Sequence, residues 1–209
     1  SELAHAFARL GTQVTQVERD DRLLAKEDLD VSEVVKKQFE ADGIDLRLNH
    51  AATKFCTEDG EKVAYCDHKG QQVRIPFDQV LVAVGRSANT AGLNLNRIGI
   101  EPLPNGTVPV EDDMSLRYPN VFACGDVAGP YQFTHAASHQ AWYAAVNGLF
   151  GQFKRFKVDY RVMPWVTFTS PEVARVGLSE AEAKEQGVAY ELSRYGLDDL
   201  DRAIADSDD

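Results

Sequence analysis

Val80-Leu81-Val82-Ala83-Val84 is an unbroken apolar run that ends in Gly85-Arg86. Such a run reads as a strand buried on both faces, and strands of that kind belong to parallel sheets. The pattern upstream supplies the rest of such a sheet. Leu3, Phe7 and Leu10 stand at helical spacing with Ala4, Ala6 and Ala8 among them, and Gly11 follows as a helix stop. Residues 12–18 alternate and are rich in β-branched side chains, which predicts a strand ending in Glu18. Asp30-Val31-Ser32-Glu33 has the form of a capping box, with Asp in place of the usual Ser or Thr. Val31, Val34, Val35 and Phe39 then line one face of a helix closed by Gly43, and residues 44–48 predict a second short strand. Three β-prone runs at 53–57, 62–67 and 72–77 are separated by Asp59-Gly60 and Lys69-Gly70, which predicts a three-stranded meander. With one more strand ahead of Ser1, this order is a β-α-β-α-β nucleotide-binding unit with a meander crossover.

A second segment follows. Residues 120–124 predict a strand leading into Gly125-Asp126, and Thr134 to Phe150 an alanine-rich helix. Near residue 160 a third begins, with a β-like stretch at 164–168, a helix over 179–186 opened by the capping box Ser179-Glu180-Ala181-Glu182, and a strand over 188–194. The expectation is an α/β chain in three parts, 1–86, 87–159 and 160–209. Ser1 starts inside a helical pattern and residues 198–209 are polar with no closing apolar element, so a piece of a longer chain is expected.

A net charge of −11 argues against a general nucleic-acid or anionic-membrane surface, because phosphate binding needs a basic face. No run of about 18 apolar residues occurs, and a soluble, cytoplasmic protein is expected. Cys56, Cys66 and Cys124 are too few and too scattered for a disulfide scaffold. They are expected as free thiols, with a cross-strand Cys56–Cys66 bond as the alternative.

Two acidic positions could carry chemistry. An acid ending the second strand of a nucleotide-binding unit can accept both hydroxyls of an adenosine ribose, and the same charge repels a 2′-phosphate. Glu18 stands at such a place, though its local pattern equally fits a solvated strand end; Arg19 and Arg22 nearby leave room for NADPH. Gly125-Asp126 would put a carboxylate at the carboxyl edge of a sheet, where nucleotide cofactors sit, with the start of the following helix offering backbone N–H groups. The same pair also fits a plain turn and helix cap. His135 and His139 are four apart on that helix, but no third ligand stands at helical spacing, so no metal is expected. No nucleophile pattern appears, and no residue is nominated as catalytic.

Taken in order, these stretches resemble the pyridine nucleotide–disulfide oxidoreductases, the family of dihydrolipoamide dehydrogenase and mercuric reductase. Residues 2–18 are similar to the segment after its NAD glycine fingerprint. Val82-Ala83-Val84-Gly85-Arg86-Ser87-Ala88-Asn89 resembles the family's A-T-G-R-x-P-N, with Val84 and Ala88 as departures. Residues 121–129 are similar to its second FAD motif, and 164–178 to the opening of its dimerisation domain. The resemblance implies the remainder of a Rossmann-like NAD(P)-binding domain with the meander, part of an FAD-binding domain, and the start of an α+β dimerisation domain. It implies FAD and NAD(P)H as cofactors, NADH favoured by Glu18, and a small disulfide, thiol or metal ion as substrate in a homodimer. Glu18 would hold the NAD ribose, Glu2 would lie near the nicotinamide, and Gly85 would line the pyridine nucleotide site. Gly125 and Asp126 would meet the FAD ribityl chain, with Phe133, Thr134 and His135 near the isoalloxazine. The family's redox CxxxxC, both glycine fingerprints and the C-terminal His-x-x-x-x-Glu do not occur in this sequence. Two other readings remain: a flavoprotein with a quinone, ferredoxin or oxygen acceptor, and a non-catalytic nucleotide-binding or dimerisation fragment.

Overall fold

The first unit of the computed structural model, which describes residues 1–206, combines Ser1–Leu81 with the segment from Pro164 onward. It opens with α1 (Glu2–Arg9), stopped by Gly11 at a φ of 93° that suits glycine. Strand β1 (Thr15–Val17) pairs in parallel with β2 (Asp45–Arg47), joined through α2 (Leu29–Ala41). The β1 strand is shorter than its alternating pattern implied, but the Glu18 N–H still donates to Arg47 O at 2.9 Å and prolongs the ladder. Leu23, Val35, Phe39 and Ile44 close the core between these elements, with Phe39 and Leu23 fully buried.

The meander forms as expected: β3 (Ala51–Glu58), β4 (Glu61–His68) and β5 (Gln71–Pro76), antiparallel in that order. Both turns, Asp59-Gly60 and Lys69-Gly70, have two successive positive φ angles. That is the mirror-image turn whose twist matches a hairpin, and an Asx-Gly or Lys-Gly pair tolerates it. Cys56 faces Val63 and Cys66 faces Ala52, so the two thiols are out of register, and all three cysteines are free.

Beyond Pro164, β6 (Pro164–Thr167) and β7 (Val173–Val176) form an antiparallel hairpin, followed by α4 (Glu180–Glu185) and α5 (Asp201–Asp206). The Ser179 box is present in full, with Ser179 Oγ accepting from Glu182 N at 3.1 Å and Glu182 Oε2 from Ser179 N at 3.0 Å. The hairpin and α4 are held to residues 27–28 by charge. Arg175 stacks on Trp165 with its guanidinium 4.1 Å from the ring centroid, and pairs with Glu27 at 3.4 Å and with Glu182. The Arg175 guanidinium keeps the Glu182 carboxyl below its usual range.

Several expectations are corrected. The box at Asp30 does not form, because α2 begins earlier with Asp28 as its N-cap and Asp30 lies inside the first turn. Asp28 does not cap its own helix by side chain either. Its carboxylate accepts from Glu180 N at 2.9 Å and Ala181 N at 3.0 Å, the free donors that open α4. Val34 is half exposed, and so are Leu3 and Phe7, while Leu10 is largely exposed. The buried member of α1 is His5, which lies against Phe39. Residues 80–84 are exposed and form no strand, and none of the described strands pairs with them. A parallel strand without a neighbour has no hydrogen-bonding partner to hold it extended. Among the described residues, 120–124 pair in strand fashion only through the bridge Ser115↔Phe122, and 188–194 form no strand and stay exposed. The polar tail yields α5, and residues 207–209 lie outside those described.

His5 joins distant parts of this unit. Ser170 N donates to its Nδ1 at 3.2 Å, which assigns the ring proton to Nε2, 2.5 Å from Asp42 Oδ2. Asp42 also accepts from Arg9 and Gln38 at 3.1 Å each. The hydrogen bond from His5 lowers the Asp42 pKa from 3.8 to about 2. A depressed carboxylate stabilises the fold fully above its unfolded pKa, and that contribution is lost as pH falls through the folded one. The urea midpoint is therefore expected to drop more steeply for the wild type than for Asp42→Asn between pH 3.8 and about 2. Parallel curves for the two proteins would remove Asp42 from the acid limb.

The second unit, Val82–Met163, is built on Ile100, Val108 and Leu116, with Val121 and Ala123 packed beside them. Its one long element is α3 (Thr134–Phe150), with the bounds its alanine-rich sequence predicted. The helix is fixed from inside by two amides, Gln140 and Asn147, which are 0% and 3% exposed. Among the described residues, no helix of either unit is long and apolar enough to cross a membrane.

Candidate functional site

On the first unit, Glu18 leaves the end of β1 half-buried. Its Oε1 accepts from Asp20 N at 2.9 Å, which orients the carboxylate and leaves the other oxygen available. The two arginines nearby in sequence are engaged elsewhere, Arg19 with Asp20 at 3.6 Å and Arg22 with Ala25 O at 2.8 Å. No guanidinium is therefore paired to Glu18 among the described residues. Glu2, exposed at the start of α1, accepts from Phe168 N at 2.8 Å through Oε1. The first turn of α1 therefore holds the loop after β6.

On the second unit, Gly125–Val127 forms a single 3-10 turn directly after Cys124. Gly125 is buried at a φ of 79°, and a Cβ added there would meet the Ala137 Cβ at 3.4 Å. Glycine is needed for the backbone angle and for the approach to α3. Asp126 is exposed, and its carboxylate makes no hydrogen bond among the described residues. The start of α3 comes eight residues later. Its N-cap, Phe133, makes no side-chain cap hydrogen bond to the first turn of the helix, which begins at Thr134 and His135. The Phe133 and His135 rings stack at 5.2 Å with 8° between their planes. An acceptor and a set of helix-start donors are thus presented from one unit, a combination that suits a ligand carrying both hydroxyls and electron-rich atoms. Gly85 belongs to this unit too, in an extended exposed segment at a φ of 144°, whereas Glu2 and Glu18 belong to the first. Next to it, Arg86 donates to Gln132 O at 2.6 Å, tying this extended segment to the loop before α3.

Gln140 went unnoticed in the sequence, because one polar residue in an alanine-rich helix reads as part of a solvated face. The available signal was spacing. Ala136, Gln140 and Asn147 are the buried residues of α3, and they share one helical face. Among the described residues, no cluster of three His, Cys, Asp or Glu could hold a metal.

Residues 1–141 match the family described as pyridine nucleotide-disulphide oxidoreductase, and residues 163–209 match the dimerisation domain of that family. The chain belongs to the pyridine nucleotide–disulphide oxidoreductases. Among its relatives, the dihydrolipoyl dehydrogenase of Chlamydia pneumoniae is 36% identical over 98% of this chain and 43% of its own length. The mercuric reductase of Lysinibacillus sphaericus is 37% identical over 97% of this chain and 37% of its own. In structure, LpdA from Mycobacterium tuberculosis superposes with a TM-score of 0.87 at 25% identity, covering 99% of this chain and 44% of that one. The Cu(II) complex of the HOCl-induced flavoprotein disulfide reductase RclA from Escherichia coli gives a TM-score of 0.85 at 27% identity, covering 99% and 46%. The chain therefore spans about two fifths of the length of the curated relatives it matches.

Proposed function

We propose that the protein carrying this chain is an FAD-dependent, NAD(P)H-linked oxidoreductase of the disulfide-reductase type, passing electrons to a small disulfide, thiol or metal-ion substrate as a homodimer. The observation that carries this is the unpartnered Asp126 carboxylate on a glycine-led turn ahead of the uncapped start of α3. That set fits FAD. Asp126 would accept from ribityl hydroxyls, Gly125 would let the backbone come close, and the N–H groups at Thr134 and His135 would face the electron-rich ring beside Phe133. FAD, when bound, supplies the redox chemistry. The residues of the chain supply position and a fixed electrostatic field. In this reading residues 1–86 bind the pyridine nucleotide, 87–159 complete the flavin domain, and 160–209 begin the dimerisation domain. Glu2 would lie near the nicotinamide, and Gly85 would contribute its backbone to the pyridine nucleotide site. The three free thiols suit a reducing compartment, and we place the protein in the cytoplasm.

Glu18 gives the finer preference for NADH. A half-buried carboxylate with one oxygen fixed by Asp20 N and no arginine paired to it would accept a ribose 2′-hydroxyl and repel a 2′-phosphate. Two measurements test the reading. The purified full-length protein should show flavin absorbance and reduce an artificial acceptor with NADH. Glu18→Ala should raise the KM for NADH with little change in kcat, by about 1–3 kcal/mol or roughly five- to 150-fold. A colourless protein that FAD cannot reconstitute overturns the flavin assignment, and an unchanged KM overturns that of Glu18.

A further inference from the structure

We propose that Gln140 is a positioning residue for the flavin site, an inference that rests on the FAD reading above. Its carboxamide has no exposed surface and is bonded on both sides. Oε1 accepts from Gly125 N at 2.6 Å, and Nε2 donates to Gly129 O at 2.6 Å and to the Tyr160 hydroxyl at 2.8 Å. Those partners are the two ends of the turn that presents Asp126. Both glycines hold positive φ angles, 79° and 62°, in a region the backbone of other residues seldom adopts. One amide therefore sets the width of the turn and ties it to α3, whose first turn carries the N–H donors of the same site. Asp126 follows Gly125 directly, so movement of the Gly125 N–H moves the Asp126 carboxylate with it.

A primary amide is the side chain that offers this acceptor and two donors in one plane. Leucine in its place would leave a buried N–H and a buried C=O without partners. Glutamate would keep the bond from Gly125 N, but it could face Gly129 O only while it carries a proton. Burial away from water would raise the pKa of that carboxyl. The titratable groups around the position are Tyr160, pushed up by its own burial, Tyr131 beside it, His139 on α3, Asp126 on the turn, and the Asp159–Arg161 pair beyond His139.

The test uses full-length Gln140→Leu and Gln140→Glu, with FAD affinity and the flavin absorption spectrum read beside far-UV circular dichroism. Gln140→Leu should keep the wild-type dichroism and bind FAD roughly ten- to hundredfold more weakly. Gln140→Glu should bind FAD best near about pH 5.5 and lose affinity as pH rises towards about 8.5, beyond any change in the wild type. If Gln140→Leu does not fold, the pH series of Gln140→Glu decides. Wild-type affinity and spectrum in a folded Gln140→Leu protein would overturn the proposal, as would a pH-independent Gln140→Glu. In either case the FAD reading stands as long as the wild type binds FAD; if it does not, both fall together.

Discussion

Asp126→Ala is expected to leave the full-length protein largely free of flavin after purification. Asp126 is exposed on a turn whose backbone is already fixed at Gly125 and Gly129, so its removal deletes acceptors without disturbing the core. Two hydrogen bonds from ribityl hydroxyls to a charged acceptor contribute about 1.5–3 kcal/mol each, so a fall in FAD affinity of roughly a hundredfold or more follows. Asp126→Asn keeps one acceptor oxygen without the charge and should lie between the two. Both variants should unfold in urea at the wild-type apoprotein midpoint, which separates lost binding from lost stability. Flavin-to-protein absorbance and titration of apoprotein with FAD measure the effect. An alanine variant that purifies as yellow as the wild type would remove Asp126 from the site.

The parts of this fold that the sequence disclosed are those whose cause is local. Asp59-Gly60 and Lys69-Gly70 select a turn type by themselves, and the turn type fixes the register of β3, β4 and β5. Ser179 and Glu182 lie within one helical turn, so their box can be read from four letters. Where the cause lies far along the chain, the local signal is silent or misleading. Asp28 lies in a charged loop, yet its partners are 152 and 153 residues away on α4. His5 lies between Asp42 and Ser170, 37 and 165 residues distant, and a helical pattern gives no hint of either. Residues 80–84 are the opposite case: the apolar run is real, but strand formation needs a neighbour, and no described strand provides one. The candidate site follows the same division. Glu18 and Asp126 were ambiguous as single letters and gained meaning from the order of four motifs. Gln140, whose partners Gly125, Gly129 and Tyr160 lie up to 20 residues away, became visible only once α3 was folded against its turn.

The second large effect concerns Arg175. Its side chain and that of Glu27 are only 10% and 7% exposed, and the Lys26 and Gly177 carbonyls accept from the same guanidinium at 3.2 and 3.1 Å. Replacing Arg175 with alanine leaves Glu27, among the described residues, with the Trp165 indole N–H at 2.9 Å as its one side-chain partner. Removing one partner of a buried ion pair destabilises by about 3–5 kcal/mol, because the desolvation of the other is no longer offset. Lost stacking on Trp165 adds to this. Most of the effect should be specific to the charge, so Glu27→Gln in the same chain should restore a large part of it. The residual loss would then report the stacking and the two carbonyl bonds. Trp165 fluorescence follows the unfolding, and amide exchange at Glu180 and Ala181 follows release of the hairpin and α4 from Asp28. Were Arg175→Ala to cost less than about 1 kcal/mol, as an exposed surface pair would, the hairpin would not be held by this network. The lack of any recovery in the double variant would show instead that packing on Trp165, and not the stranded Glu27 charge, accounts for the loss.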